Sequence, residues 1–404
     1  MNNRYKFANY DVDSVELKCL LISRGLKIDK EVYKKFGKTN RIYPNALTCN
    51  CMLLPDDTVV MATDLGFHLQ TLASMFSWDN LKLLRYMNEM KTDYRLSLSG
   101  EKPVLFCGNE EICEVKFLPK SDFYKQKTSS GMPFIGNAVL QGFEWVAFQC
   151  LWPCDYAREG KPCQYCFSGG QFEALARKNK PMPSVPSPLD VAEVVKYAFE
   201  NDGASSIQIT GGSTFDAEIE GKYITDYLEK ISEVVGMENV SGEVLLFITP
   251  PEKYDLIDRY FSLGATRIIC SIEVWDDERA QIITPGKRGY TTKERHLNAL
   301  EYIANKYGPG KALCNLIIGL ESMETFKEGA TWLAQRGIIP NASIWMPFGK
   351  PVMGSLTPPD IDFYRAANSI LSELYVKYDL EPELGHGTNT CVERDIWNAA
   401  KRKL

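Results

Sequence analysis

SIQITGGSTFDAEIEGKYITDYLEKISEVVGMENVSGEVLLFIT, residues Ser206–Thr249, holds one complete unit of the fold. The β-branched run Ser206–Gly211 reads as a strand closed by two glycines. YITDYLEKISEVVG then spaces its apolar residues three and four apart and ends on glycine, as an amphipathic helix does. Glu243–Thr249 is a second short apolar run of strand length. Strand, helix and strand in this order form the crossover unit of a parallel sheet.

The same alternation extends from about residue 140 onward. Further strands are predicted at Phe143–Gln149, Thr266–Val274, Ala312–Gly319 and Ala342–Met346, giving six in all. Helices are predicted over LDVAEVVKYAFEN, EKYDLIDRYFSLG, TKERHLNALEYIANKYG and METFKEGATWLAQRG, with a last one near Pro358–Lys377. A (β/α)6 series falls short of the eight units that close a TIM barrel. The fold class is therefore α/β: a partial, TIM-like (β/α)6 barrel. Residues 1–135 lack the alternation and read as an additional N-terminal α+β region, 136–360 as the barrel, and 361–404 as a C-terminal helix and tail covering it.

Composition narrows the function. The chain has 404 residues, 45% hydrophobic and 24% charged, which is the make-up of a globular protein with a large core. Its 46 basic and 52 acidic residues give a net charge of −6, so no basic excess favours nucleic acid or an anionic membrane surface. The start, MNNRYKFANYDVDSVELK, has no apolar core of signal-peptide length, and no uninterrupted apolar run reaches the roughly 18 residues of a membrane span. A cytoplasmic location is expected. Twelve cysteines in a reducing compartment point to metal binding rather than disulfides, and His68, His296 and His386 are too few for imidazole sites.

Chemistry concentrates in QCLWPCDYAREGKPCQYCFSGG, which places Cys150, Cys154, Cys163 and Cys166 directly after the first strand. The C-terminal ends of barrel strands are where sites are built, and the proline-rich stretch Pro181–Leu189 lengthens this loop further. Four thiolates so close could form a zinc knot or hold an iron–sulfur cluster. A barrel of this size needs no staple, which favours the cluster.

The segment resembles the cysteine loop of the radical SAM superfamily, which usually reads CxxxCxxC after the first barrel strand. Cys163-Gln164-Tyr165-Cys166 matches its second half, including the aromatic Tyr165 before the last cysteine. The first half departs, with eight residues between Cys154 and Cys163. The resemblance implies Cys154, Cys163 and Cys166 as ligands of a [4Fe–4S] cluster in a CxxxxxxxxCxxC motif. The competing triad Cys150/Cys163/Cys166 stays open. In the family three thiolates leave one iron for S-adenosylmethionine, and the reduced cluster cleaves that cofactor to a 5′-deoxyadenosyl radical. Further positions match one at a time. Gly211, Gly212, Ser213 and Thr214 stand where the family carries a GGE-like motif, with serine in place of the glutamate. Ser271 and Glu273, two apart on the fourth predicted strand and so on one face, fall where polar groups meet the ribose. Cys314–Glu321 resembles a GxIxGxxE stretch containing Ile317, and Met346 and Pro347 end the sixth strand where adenine packs.

The resemblance implies a radical SAM enzyme in an anaerobic setting, with ferredoxin or flavodoxin as electron donor; hydrogen abstraction from a small organic substrate is favoured by subtraction, and the charge balance favours no nucleic acid or membrane partner. The late part of the barrel looks most like the biotin synthase and hydrogenase-maturase branch. The alternative from another class is a structural zinc protein using all four cysteines of the loop. A dinucleotide-binding oxidoreductase is disfavoured, because neither GxGxxG nor GxxxxGK[ST] follows any strand. Gly211–Gly212 could also be a plain turn needing positive φ. Asp276–Glu278 reads as an acidic helix cap, and Cys270 and Cys314 as buried apolar residues. Cys49, Cys51, Cys107 and Cys113 form a weak second-metal pattern. His386, between glycines, is the histidine to test as a substrate contact.

Overall fold

The computed structural model describes residues 3–37, 49–65, 92–135, 137–150, 154–166, 185–345, 357–383 and 391–402. The first part of the chain contributes small sheets. Strands β1 (Arg4–Phe7) and β2 (Tyr10–Asp13) form a hairpin, as do β4 (Cys49–Leu53) and β5 (Val59–Thr63). Strands β3 (Lys27–Ile28), β6 (Tyr94–Ser99), β7 (Lys102–Cys107) and β8 (Glu110–Glu114) make a four-stranded sheet in that order.

The site rests on a seven-stranded sheet. It runs in sequence order from β9 (Ala138–Gln141) through β10 (Trp145–Gln149), β11 (Ser206–Thr210), β12 (Val244–Phe247), β13 (Arg267–Ile269) and β14 (Ala312–Ile318) to β15 (Ile339–Ile344). From β10 to β15 every neighbouring pair is parallel, so the six predicted strands are the six units of the partial barrel. Sequential parallel neighbours require a crossover each time. Helices Pro188–Asn201, Ala217–Val234, Asp255–Ser262, Lys293–Tyr307 and Met323–Ala334 supply them, and helix Ile361–Tyr378 follows the last strand. The acidic cap read at Asp276 is present, with Asp276 Oδ1 accepting from Arg279 N at 2.7 Å, and Ser187 and Asp190 form a capping box at the start of the first crossover helix.

Three features differ from expectation. Strand β9 pairs antiparallel with β10 across a turn in which Gly142 has φ 54°, extending the sheet by one strand that the alternation did not reveal. The predicted strand Thr266–Val274 shortens to Arg267–Ile269, because the chain leaves the sheet at Cys270. Ser271 and Glu273 therefore do not share a strand face. Val274 N donates to Ile272 O at 2.8 Å around Glu273, whose φ is 69°, a γ-turn that a side-chain-bearing residue adopts only under constraint. The last strand starts at Ile339 rather than Ala342 and accommodates Pro340 because it lies at the sheet edge. That edge is covered: Val392 N donates to Ala342 O at 3.1 Å, and Ala342 N donates to Glu393 Oε2 at 3.2 Å.

Helix Ser14–Arg24 is buried on two sides. Val15, Cys19 and Ile22 join the barrel core, whereas Leu17, Leu20 and Leu21 join the apolar cluster of the N-terminal sheets. Lys18 on the same helix is buried against Asp395 at 2.6 Å, tying the N-terminal helix to the C-terminal helix Glu393–Lys401. No helix of the described residues is long and apolar enough to cross a membrane.

Candidate active site

Beyond the C-terminal ends of β10 to β13 lies a cleft of about 810 Å³ that opens to solvent. Cys154, Cys163, Tyr165 and Cys166 line it from the cysteine loop; Gly211, Gly212 and Ser213 come from the end of β11, and Ser271 and Glu273 from the turn after β13. Thr214 and Ile317 stand just outside. Thr214 Oγ1 donates to Asp155 Oδ2 at 2.9 Å, and Ile317 packs with Trp345, Val274 and Tyr165 in a separate apolar cluster behind the loop. Met346, Pro347, His68 and His386 lie outside the described residues.

The loop is fixed by local backbone chemistry. Cys154 is the N-terminal flank of the short helix Asp155–Arg158, its carbonyl accepting from Ala157 N at 3.0 Å and Arg158 N at 3.1 Å. Asp155 N donates to Ser213 O at 2.8 Å, and the Asp155 carboxylate accepts from Phe215 N at 3.0 Å, so the loop is stitched to the strand end that follows it in the barrel. Gly212 makes this possible through closeness, not through φ. Neither Gly211 nor Gly212 has positive φ, but a Cβ on Gly212 would stand 2.7 Å from Cys154 Cα and N. The turn reading of these glycines is thereby corrected. Only hydrogen fits where the strand end passes the cysteine backbone.

Cys150 takes no part in the cleft. It is fully buried in the barrel core, its N–H donating to Thr210 O at 2.7 Å, and burial raises its thiol well above the ordinary value. Burial also raises Cys154, and lifts Cys163 to about 12, with the neighbouring thiols adding repulsion against a second negative charge. Without metal these groups hold their protons; a bound cation would displace them. Cys270 and Cys314 are fully buried, as expected of small apolar residues. His296 is buried, with Nδ1 at 2.7 Å from Thr292 O, and burial holds its pKa at about 3, a structural neutral imidazole.

Two charged cleft residues escaped the sequence reading. Glu220, on the buried face of helix Ala217–Val234, accepts from Thr249 N at 2.8 Å and from Thr249 Oγ1 at 3.3 Å, and burial raises its pKa to about 8. Its signal was present: Glu220 precedes Ile224, Tyr227, Leu228 and Ile231 in one apolar stripe. Lys287 lies in the π-helical segment Lys287–Thr291, where Nζ reaches Ser271 O at 2.7 Å and Glu273 Oε1 at 3.0 Å. Burial disfavours its charge, but Glu273 and Cys163 outweigh that and raise its pKa.

The donor set tests the cofactors that this arrangement could take. One zinc ion needs every sulfur about 2.3 Å from a single point. Among the described residues no group of three or more His, Cys, Asp or Glu is placed to hold one metal ion, and Cys150 faces the core, so the four-cysteine zinc reading is not supported. Three thiols at one cleft, without imidazole, suit a multi-iron cluster whose metal atoms are themselves spread apart. Beside them, the buried Ser271 Oγ has no hydrogen-bond partner among the described residues, as suits a ligand-binding wall.

Fold and cleft together define a partial α/β barrel with a three-thiol loop at the catalytic ends of its strands. Residues 155–333 match the family model described as the Radical SAM superfamily, so this stretch of the chain is a radical SAM domain. It is 27% identical over 301 residues to bacteriochlorophyllide c C-7(1)-hydroxylase of Chlorobaculum limnaeum, a match covering 72% of this chain and 74% of that protein. Among solved structures it resembles methylornithine synthase PylB, at 15% identity and TM-score 0.43, covering 63% of this chain and 69% of the other. It also resembles the hydrogenase maturase HydG of Carboxydothermus hydrogenoformans, at 16% identity and TM-score 0.36 over 51% of this chain; the match spans 47% of the maturase, about half its length. The family match implies S-adenosylmethionine and an iron–sulfur cluster.

Proposed function

We propose that the protein binds a [4Fe–4S] cluster through Cys154, Cys163 and Cys166 and S-adenosylmethionine in the adjoining cleft, and removes hydrogen from a small organic substrate. The observation that carries this reading is the separation of the loop's thiols: three line the cleft, and Cys150 is buried in the core. Cluster and cofactor together would supply a 5′-deoxyadenosyl radical. The chain's own part is to orient and enclose. Gly211, Gly212 and Ser213 offer backbone and hydroxyl groups beside the thiols, while Ser271 and Glu273 present polar groups to the same cleft. Tyr165, on the loop, packs with Ile317 in one apolar cluster that supports it. The hydroxylase among the relatives supports C–H cleavage as the step. A small reductant protein such as ferredoxin or flavodoxin is the proposed electron donor, and the cytoplasm the proposed location.

Reductive anaerobic incubation with S-adenosylmethionine tests the reading. Wild type yields 5′-deoxyadenosine and Cys163→Ala yields none; wild-type protein that loads iron and forms no 5′-deoxyadenosine refutes it.

A further inference from the structure

Glu273 is held in a backbone conformation that it does not favour. Its φ of 69° sits in a γ-turn, and strain of this kind persists only where the surroundings over-determine it. Two restraints are visible. Glu273 N donates to Asn315 O at 2.9 Å, while its own carbonyl accepts from Ile317 N at 2.9 Å, fastening the turn to β14. The carboxylate, directed into the cleft, is gripped by Lys287 at 3.0 Å, and the same ammonium holds Ser271 O at 2.7 Å. Both side chains are largely buried, at 16% and 12% exposure, so the pair is desolvated and geometrically fixed.

Lys287 is itself carried by a segment docked on the cysteine loop. Gly286 N donates to Lys161 O at 3.1 Å, and Gln164 N donates to Ile283 O at 2.8 Å. Tyr156 and Thr291 share a hydroxyl hydrogen bond at 2.9 Å, and the Tyr156 and Tyr290 rings stack at 6.1 Å. Gly286 has no room for a side chain, since a Cβ would stand 2.5 Å from Tyr156 Cβ and 2.6 Å from Lys161 O. An interrupted helix of the π type at this place is the kind of irregularity found at functional sites. Residues 283–291 thus touch the thiol loop on one side and, through a single ammonium, the carboxylate on the other.

We propose that Lys287 is a positioning residue that aims the Glu273 carboxylate at the bound cofactor and couples that aim to the set of the cysteine loop. The inference rests on the proposed binding of S-adenosylmethionine in the cleft. Lys287 acts through Glu273 and Ser271, which line the same cleft as the thiols. Glutamine at 287 keeps a donor toward Ser271 O but loses the charge that fixes Glu273; arginine keeps the charge.

The test is calorimetric binding of S-adenosylmethionine to the full chain, anaerobically reconstituted with iron and sulfide, with iron per chain measured in parallel. Lys287→Gln is expected to keep wild-type iron while its affinity for S-adenosylmethionine falls about tenfold to hundredfold, the range for losing a hydrogen bond to a charged group. Lys287→Arg is expected to recover most of the loss, and it carries the test if the glutamine variant fails to fold. Unchanged affinity in Lys287→Gln overturns the proposal, and so does Lys287→Arg binding no better than Lys287→Gln. Wild-type protein that takes up iron but does not bind S-adenosylmethionine removes the functional reading itself, an outcome distinct from either.

Discussion

Replacing Gly212 by alanine should damage the cluster site from a position that carries no ligand. The added Cβ would stand 2.7 Å from Cys154 Cα and N and 2.8 Å from Cys154 Cβ. Unbonded carbons settle at about 3.5–4.0 Å, so the two backbones must part by roughly 1 Å. Neither can yield easily. Cys154 is pinned by the first turn of helix Asp155–Arg158 and by the bond from Asp155 N to Ser213 O at 2.8 Å, and Gly212 stands two residues past the end of β11. Overpacking of this kind costs about 1–3 kcal/mol, and a displacement near 1 Å moves a thiol out of a multi-point ligand set. The assay is iron per chain after anaerobic reconstitution, with urea denaturation run alongside. Gly212→Ala is expected to lose at least half of the wild-type iron and about 1–3 kcal/mol of stability. Gly289→Ala serves as the control, because a Cβ there meets nothing within 4 Å. Full iron loading in Gly212→Ala, or equal losses in the control, would refute the argument from close approach.

Cys150→Ala should retain the brown colour and iron of the reconstituted protein, whereas Cys154→Ala, Cys163→Ala and Cys166→Ala should lose them; loss on removing Cys150 alone would reassign the triad. Lys18→Met leaves Asp395 buried at 7% exposure without its partner, and is expected to cost about 3–5 kcal/mol in urea denaturation; Lys18→Met/Asp395→Leu should recover most of it. Glu220 sits above its unfolded pKa, at about 8 against 4.5, so its stabilising contribution is complete below pH 4.5 and is lost as pH rises toward 8. Glu220→Gln should therefore flatten the stability profile between pH 5 and 8 by an amount on the order of several kcal/mol; identical slopes for both proteins would show that Glu220 does not titrate in this range.

Much of the barrel was legible because parallel strands buried on both faces leave compact apolar runs, and their crossover helices leave a 3.6-residue stripe. Strand β9 left no such trace, since an antiparallel partner joined by a tight turn adds no crossover. The fourth predicted strand was overextended for a related reason. Cys-Ser-Ile-Glu-Val continues an alternating pattern, and nothing in that pattern registers a γ-turn at Glu273. Spacing alone could not choose between Cys150 and Cys154; what the sequence did not show is that Cys150 is fully buried in the core and Cys154 lines the cleft, the difference on which the proposed triad rests. Lys287 was invisible for a different reason, because its role depends on a π-helical turn that places one ammonium between groups 14 and 16 residues away. Glu220 could have been found as a carboxylate inside an apolar stripe, and the strain-bearing turn could not.

The helix Ser14–Arg24 serves as a wall common to two rooms. With Val15, Cys19 and Ile22 on the barrel side and Leu17, Leu20 and Leu21 on the other, neither compartment can be cut away without leaving the remaining one roofless and greasy. Trimming the chain to its catalytic portion would accordingly yield insoluble material rather than a minimal enzyme, and evolutionary exchange of the leading segment would have to carry this helix along as part of the cargo.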